Sequence, residues 1–342
     1  MLENQTFPGN ISDIEHYGST RRTGTWLTLV TGICLSPVIV LGVLGNIFSL
    51  LVWVKGRRRK TSTARYLSAL AVADIIVLLT TALEFWLSYV VYLDIKVTGT
   101  FTCKFFYFMA FFAPSLSAWI LAAVTIERAL SVWIPHKINV ACQPVTAVVV
   151  SGVVSFLLCL LYLPILTSVD VVDVYTPTST WKECSPLSDT IYRQNLHAWF
   201  YIDLCIFFLL PFVVMLICNV SILAKVVCLA QKRSASLHAR GQNQTSAKSK
   251  KMLKTVTRRI VILTIAYIVC NSPLSVLNVI LSSSKADYIV EAEHVQFYRI
   301  PFHVLMFVNN GVNFLLYCLI GSGFRKDFMS ILRPSSRTST TR

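Results

Sequence analysis

The sequence predicts an all-α membrane protein: a seven-transmembrane helix bundle with a short amphipathic helix after the seventh span. Three observations support this prediction. The 342 residues are 55% hydrophobic and only 14% charged, whereas soluble proteins carry roughly 25% charged residues. Seven apolar runs have about the 20 residues that a helix needs to cross a bilayer. Lys and Arg are concentrated in alternate connections between these runs, as the positive-inside rule requires.

The apolar runs are continuous rather than alternating in hydrophobicity, which favours helices over the strands of a membrane barrel. Asp74 and Glu84 interrupt the second run, and Asp203 interrupts the fifth. Because the number of runs is odd, the two termini are expected on opposite sides of the membrane. The runs cover residues 26–54, 66–91, 105–126, 145–166, 199–224, 260–281 and 300–320.

The distribution of charge orients the bundle. The formal net charge is +15, but one set of connections carries about +21 and the other about −3. The positive set is expected to face the cytosol, which predicts a multi-pass plasma-membrane protein with an extracellular N-terminus. No nucleic-acid partner is expected, because the sequence offers no polar domain for a basic binding face. The predicted divisions are an extracellular segment 1–25, the bundle 26–323, a membrane-surface helix 324–332 and a cytoplasmic tail 333–342.

Two N-glycosylation sequons begin at Asn4 and Asn10 in the N-terminal segment, which is expected to be lumenal during synthesis. Three-residue motifs also occur by chance, as the sequons at Asn219 and Asn243 illustrate, since one lies in a span and the other faces the cytosol. The N-terminus lacks a charged-then-apolar leader, so the first span is expected to act as the signal anchor.

Cysteine usage restricts the possible disulfides. Six of the ten cysteines fall in the apolar runs and two face the reducing cytosol. Cys103 and Cys184 alone are predicted on the oxidising side. If a disulfide exists, it joins the top of the third span to the loop between the fourth and fifth spans. The alternative is a pair of free extracellular thiols.

Short motifs at characteristic places in the spans give the chain a resemblance to a known family. Together, and in this order, they resemble the rhodopsin-like (class A) G-protein-coupled receptors, which implies a heterotrimeric G protein as partner. The motifs are Gly45-Asn46, Leu70 to Asp74, Cys103, Glu127-Arg128-Ala129, Pro211, Cys270 to Pro273, and Asn313 to Tyr317.

The resemblance implies an ion site inside the membrane. Asp74, Ser117, Asn309 and Asn313 would hold a sodium ion, with Asn46 nearby, and sodium there would favour the inactive packing. An intramembrane acid is a functional hypothesis by default. The alternative is a protonated Asp74 that is hydrogen-bonded to the same polar groups. No other cofactor is expected.

The resemblance also implies a switch at the cytosolic ends of the spans. Glu127 would hold Arg128 at rest, and activation would free Arg128 to meet the G protein, with Asn313 and Tyr317 taking part from the seventh span. The alternative for Arg128 is an arginine that merely snorkels to lipid phosphate. Pro273 is expected to kink the sixth span and to serve as its hinge.

Several positions depart from the family pattern. Phe314 replaces the usual proline of the seventh span, which is therefore expected to be straighter. Asn271 replaces an aromatic residue and cannot act as an aromatic toggle, while Ala129 and Asn219 each replace a tyrosine. Because the start of the sixth span offers no acid to hold Arg128, basal activity is expected to be appreciable.

The candidate ligand site lies in the outer half of the bundle. Ala110 occupies the place where amine receptors carry a carboxylate, and the seventh span lacks the lysine that retinal requires. Glu84 and Asp203 are the candidate anchors for a cationic ligand, although Arg299 and His303 could instead pair with Glu84. The candidate aromatic lining consists of Trp86, Tyr107, Phe111, Trp199 and Phe302.

The outer loops are acidic, and the β-branched run 169–175 predicts a short hairpin, as is usual in peptide-receptor members of the family. An acidic rim favours a basic peptide. The stretch from Ser117 to Arg128 resembles invertebrate neuropeptide receptors.

The alternatives to a peptide receptor are a receptor of the same fold for a lipid or small molecule, or a transporter or channel. The family resemblance and the absence of a nucleophile or metal motif argue against an enzyme.

Beyond the seventh span, Phe324, Phe328 and Leu332 recur at four-residue spacing, which predicts a helix lying on membrane lipids. The tail that follows is rich in Ser and Thr. It is predicted to be phosphorylated by receptor kinases and then to recruit arrestin. A merely disordered tail is the alternative.

Overall fold

A computed structural model describes most of the chain. The predicted glycosylation sites Asn4 and Asn10, the tail 333–342 and most of the basic loop after the fifth span lie outside the described residues. The described residues are 25–57, 59–134, 142–175, 180–187, 190, 196–238, 262, 264–280, 292–320 and 322–332.

Five helices in the described part of the chain are long and apolar enough to cross a membrane. The second of them (Ser62–Val91) includes two π-helical turns, Leu78–Ala82 and Leu87–Val91, and the fifth (Leu196–His238) includes a third, Leu204–Leu209. The five helices are α1 (Thr25–Lys55), α2 (Ser62–Val91), α3 (Thr100–Trp133), α4 (Pro144–Tyr162) and α5 (Leu196–His238).

Helices α6 and α7 complete the predicted bundle of seven. Helix α6 is an apolar helix, Thr264–Ile280. Helix α7 consists of two pieces, Ala292–Gly311 and Asn313–Ile320, which qualify together as one further span. The all-α membrane fold predicted from the sequence is therefore confirmed.

Helix α3 lies at the centre of the bundle and packs against α2, α4 and α5. It is the most deeply buried of the five long helices, whereas α4 is the least buried and presents a broad apolar face to the outside. Such outward apolar faces suit a bilayer, because lipid tails satisfy them as well as a protein core does.

The prediction of a straighter α7 is wrong. Its two pieces are bent by 50° around Val312, although Phe314 replaces the usual proline. A close contact with α1 accompanies the bend: a Cβ atom added to Gly42 would lie 2.9 Å from the Cα atom of Gly311. Because both glycines lack side chains, α7 can lie directly on α1 and turn there without a proline.

The predicted hairpin after α4 is confirmed. Strands β1 (Val169–Tyr175) and β2 (Thr180–Pro186) are antiparallel, with Val171 opposite Cys184. Cys184 forms a disulfide with Cys103 near the start of α3, so the alternative of free thiols is wrong. The disulfide attaches the hairpin to the central helix of the bundle.

The short helix after the seventh span is also confirmed, as α8 (Ser322–Leu332). Phe324 is 2% exposed and packs against Trp53 of α1 and Tyr317 of α7. Arg325 donates from Nη1 to the carbonyl oxygens of Cys318 and Leu319 at the end of α7. Helix α8 is thus packed on the bundle through its phenylalanines, while Leu332 is exposed.

Candidate functional site

Asp74 is fully buried where α2, α3 and α7 meet, and both of its carboxylate oxygens accept hydrogen bonds. Ser117 Oγ donates to Oδ1 at 2.6 Å, and Asn310 Nδ2 donates to the same atom at 2.8 Å. Asn313 Nδ2 donates to Oδ2 at 2.6 Å. Helices α3 and α7 therefore supply three donors to a single buried carboxylate of α2, and a buried charge requires such partners.

The sequence-based choice of Asn309 for this cluster is corrected to its neighbour Asn310. Asn310 is 3% exposed, and its main-chain carbonyl also accepts a hydrogen bond from Asn46 Nδ2 at 2.8 Å. Asn309 is only half-buried. Residues three apart and residues four apart both share a helix face, so the spacing from Asn313 could not distinguish Asn310 from Asn309.

The residues around Asp74 fit a sodium ion in composition, since a carboxylate, a hydroxyl and two amides can all offer oxygen to a hard cation. In the observed arrangement, however, both amides direct nitrogen toward Asp74. To bind sodium, the amides of Asn310 and Asn313 would have to present their oxygens.

A second acid, Asp203, is partly buried near the outer end of α5. Its Oδ1 accepts from the hydroxyl of Tyr162 at 3.2 Å, and that hydroxyl also hydrogen-bonds Ser115 Oγ at 2.8 Å. The ring of Phe111 lies 6.0 Å from Tyr162 and 5.8 Å from Tyr107. No Lys or Arg in the described part of the chain forms an ion pair with Asp203. This carboxylate is thus held in place by a phenol and bordered by aromatic rings.

Glu84 has a partner that the sequence reasoning did not consider. Lys96, in the loop between α2 and α3, places Nζ 2.8 Å from Glu84 Oε1. Neither predicted internal partner takes this role: His303 Nδ1 instead hydrogen-bonds the main-chain carbonyl of Arg299 at 2.8 Å. The charge of Glu84 is therefore already compensated by the protein itself.

Two of the residues predicted to line the ligand site make their contacts in other places. Trp86 Nε1 donates to Ser36 Oγ of α1 at 2.8 Å, and Phe302 borders an apolar groove of about 290 Å³ with Pro273 and Val276 of α6. The π turn Leu78–Ala82 explains the error for Trp86, because it holds an extra residue and rotates the outer end of α2. Trp199 is half-buried and packs against the core.

An aromatic stack that the sequence reasoning missed joins α2 to α7. The ring of His303 stacks on Phe85 at 5.0 Å, and Phe85 lies 4.5 Å from Tyr89. Phe307 adds an edge contact with Phe85 at 5.9 Å. The four-residue spacing of Phe85 and Tyr89 was the available signal, since such residues share one face of a helix.

At the cytosolic ends of the helices, Thr63 of α2 donates from Oγ1 to Glu127 Oε1 at 2.6 Å. Thr63 was also missed, and the pairing of Glu127 with Arg128 stays a prediction. Asn219 of α5 donates from Nδ2 to Thr264 Oγ1 of α6. Lys225 Nζ lies 4.6 Å above the ring of Trp133. Polar and cation–π contacts thus join α2 to α3, α5 to α6 and α5 to α3 on this side.

The exposed surface of the hairpin is acidic, with Asp173 and Glu183 on opposite strands. Asp170 is hydrogen-bonded by the side chain of Thr100 and by the main-chain N–H of Val171. Both bonds lower the pKa of Asp170, so this carboxylate is negative at neutral pH. The hairpin therefore adds negative charge beside the outer mouth of the bundle.

Comparison with known proteins gives a consistent result. The family model "7 transmembrane receptor (rhodopsin family)" matches residues 45–317. The C5a anaphylatoxin chemotactic receptor 1 of Danio rerio is 25% identical over 342 aligned residues, which cover 96% of this chain and 86% of that protein. Galanin receptor type 2 of Rattus norvegicus is 26% identical over an alignment that covers 89% of this chain and 77% of that protein. Cysteinyl leukotriene receptor 1 of Homo sapiens is 26% identical, covering 59% of each chain.

Proposed function

Because the chain belongs to the rhodopsin family of seven-transmembrane receptors, we propose that it binds an extracellular basic neuropeptide and activates a heterotrimeric G protein. Ligand binding would open the cytosolic side of the bundle. The family consists of receptors rather than enzymes, and membership in it replaces the transporter and channel alternatives.

The observation that carries the peptide proposal is the state of Asp203. This acid lies inside the bundle, is fixed by Tyr162 and has no cationic partner among the described residues. Burying an unpaired charge costs free energy, so a ligand cation that reached Asp203 would repay part of that cost. Peptide receptors among the relatives, and the acidic hairpin above the site, support the same ligand class.

The test uses cells that express the receptor with a promiscuous G protein and a panel of basic, amidated peptides. For an active peptide, Asp203→Asn should lower potency about 10-fold or more, since a charge-assisted hydrogen bond contributes about 1.5–3 kcal/mol. Replacing the peptide's arginine with neutral citrulline should abolish the difference between the two receptors. Asp173→Asn on the exposed hairpin should lower potency much less, since a solvent-exposed charge pair contributes at most about 1 kcal/mol. Equal potency on wild type and Asp203→Asn would exclude this anchor.

A lipid ligand is the second candidate. The apolar groove between α6 and α7 would suit an acyl chain, and one relative is named for cysteinyl leukotriene. A lipid agonist should retain its potency on Asp203→Asn and lose it when Val276→Trp fills the groove. The basic-peptide proposal expects the opposite pattern.

We also propose the allosteric sodium site, with Asn310 in place of Asn309. Sodium should weaken agonist binding to wild type, because it would favour the inactive packing. Asp74→Asn should remove this dependence. Agonist affinity that is the same in sodium and in N-methylglucamine buffers would argue for the hydrogen-bonded carboxylate without an ion.

Membership in the family supports proposals for the remaining roles. We propose that the receptor resides in the plasma membrane with its N-terminus outside, and that Glu127, Arg128, Asn313 and Tyr317 form the switch that engages the G protein. Receptor kinases and arrestin would act on the tail 333–342. The resemblance to invertebrate neuropeptide receptors stays a prediction.

A further inference from the structure

The loop between α2 and α3 returns a lysine to the body of the bundle. Helix α2 ends at Val91, and the residue that follows, Tyr92, has a left-handed φ of 59°, a conformation that is uncommon for residues other than glycine. The chain then enters a short 3₁₀ helix, Ile95–Thr98. This sharp reversal brings Lys96 back to Glu84 of α2.

The main chain around Lys96 is fixed by local hydrogen bonds. Asp94 Oδ1 accepts from the N–H of Lys96 at 3.0 Å and caps the 3₁₀ helix. Thr102 Oγ1 donates to the carbonyl of Gly99 at 2.7 Å. The inward direction of Lys96 is thus set by the loop, unlike that of a lysine on an open surface.

The two members of the ion pair differ in exposure. The side chain of Lys96 is 29% exposed and that of Glu84 only 12%. Burial by itself would lower the pKa of Lys96, but attraction to Glu84 and Asp94 outweighs it and raises the pKa above the ordinary value. Lys96 therefore stays charged, and it lies on the solvent side of a carboxylate that needs a cation.

We propose that Glu84 is a second cation subsite of the receptor, that Lys96 occupies it from within the chain, and that a guanidinium or ammonium group of a ligand binds there by displacing Lys96. This inference rests on the proposed function, because it concerns how a basic ligand is received. Under this proposal a ligand cation can bind Asp203 directly, whereas it can bind Glu84 only after Lys96 has been displaced.

The exchange is chemically reasonable. Leaving a buried carboxylate unpaired is unfavourable, so release of Lys96 is favourable only when a ligand cation takes its place at Glu84. Lysine offers a point charge on a flexible stem, whereas a guanidinium can contact a carboxylate through two parallel hydrogen bonds. An arginine-bearing ligand replaces one ion pair with another of better geometry, and the released Lys96 moves outward to water.

The test measures the thermal stability of the purified receptor with L-argininamide, and with L-citrullinamide as its neutral counterpart, at one millimolar concentration. Lys96→Gln should increase the stabilisation by argininamide about twofold or more over wild type, because the internal competitor is gone. Lys96→Gln/Glu84→Gln should lose that increase. Lys182→Gln, which removes an exposed lysine from the hairpin, should behave as wild type.

Lys96→Arg covers the case in which Lys96→Gln does not fold, since it keeps the ion pair. It should respond to argininamide less than wild type. The proposal is overturned if Lys96→Gln responds as wild type, if its gain survives Glu84→Gln, or if Lys96→Arg, used in its place, matches wild type.

The same variants separate this inference from the function on which it rests. Argininamide binding that depends on Glu84, without a signal from any basic peptide, would contradict the peptide function and leave the subsite standing. Peptide signalling through Asp203 that is indifferent to Lys96 would do the reverse.

Discussion

Asp74 shows how one side chain can organise several helices. It accepts hydrogen bonds from α3 and twice from α7, and its amide partner Asn310 also lies against α1 through its own main-chain carbonyl. Hydrogen bonds to a charged group contribute more than neutral ones. This carboxylate therefore links α2 directly to α7 and α3.

Asn310→Ala should lower the free energy of unfolding by about 1–3 kcal/mol, because it removes a donor from a buried carboxylate. Asn309→Ala is the matched control and should change stability by about 0.5 kcal/mol or less, as a half-buried residue outside the cluster. The midpoint of thermal unfolding in detergent measures both. Equal losses would show that Asn309 also belongs to the site.

Asn219 of α5 occupies the position where members of the family usually carry a tyrosine, and it donates a hydrogen bond to Thr264 of α6. Thr264→Val removes the acceptor while keeping the shape, and Ser221→Ala, whose hydroxyl bonds only within α5, is its control. If this bond restrains α6, Thr264→Val should raise agonist-free signalling and Ser221→Ala should not. The measurement is G-protein activation without ligand at matched surface expression.

Among the elements, α7 departs most from expectation. Its bend is accompanied by a contact between two glycines rather than by a proline, and main-chain hydrogen bonds continue on both sides of Val312. Sequence reasoning followed the missing proline, because proline is the strongest local cause of a kink. It could not detect a cause that lies in another helix.

Gly42→Ala should destabilise the receptor by about 1–3 kcal/mol, since overpacking a tight contact forces helices apart. The new Cβ atom would meet Gly311 Cα at 2.9 Å and Leu78 Cδ1 at 2.8 Å. Gly152→Ala in α4 is the control, because nothing lies within 4 Å of its added atom. That change should be neutral or add about 0.5–1 kcal/mol. A Gly42→Ala receptor as stable as Gly152→Ala would contradict the packing account.

Helix α8 should depend on its buried phenylalanine. Phe324→Ala removes ring contacts with Trp53, Phe314 and Tyr317, and such truncations typically cost about 3–5 kcal/mol in a core. Leu332→Ala, at the exposed end of the same helix, should cost far less. Thermal unfolding again compares the two, and similar effects would mean that α8 is not packed on the bundle as described.

At the scale of the whole molecule, the sequence predicts what depends on composition and order along the chain. Hydropathy predicts the spans, and cysteine placement predicts the Cys103–Cys184 bond, which the structure contains. It does not predict what depends on the path of a loop or an irregular turn. The pairing of Lys96 with Glu84 depends on the chain reversal at Tyr92, and the contact of Trp86 with α1 depends on a π turn. Neither feature produces a recognisable hydrophobic pattern in the sequence.

The orientation of the whole chain can be tested through its sequons. Asn4→Gln/Asn10→Gln should remove the mobility shift that glycosidase treatment causes in wild type, because an extracellular N-terminus passes the glycosylation machinery. Asn243→Gln should leave the shift intact, since that sequon lies in a connection predicted to be cytosolic. A shift that survives the double substitution would contradict the proposed orientation.

The bond between helix and hairpin also constrains the order of events at the ribosome. Cys103 and Cys184 are 81 residues apart, and synthesis adds about 5–20 residues per second, so Cys103 emerges roughly 4–16 s before its partner. During that interval α4 must be made and inserted while the thiol of Cys103 stays reduced or protected. Formation of this disulfide therefore reports that synthesis has passed the fourth helix and that the hairpin has reached the oxidising side.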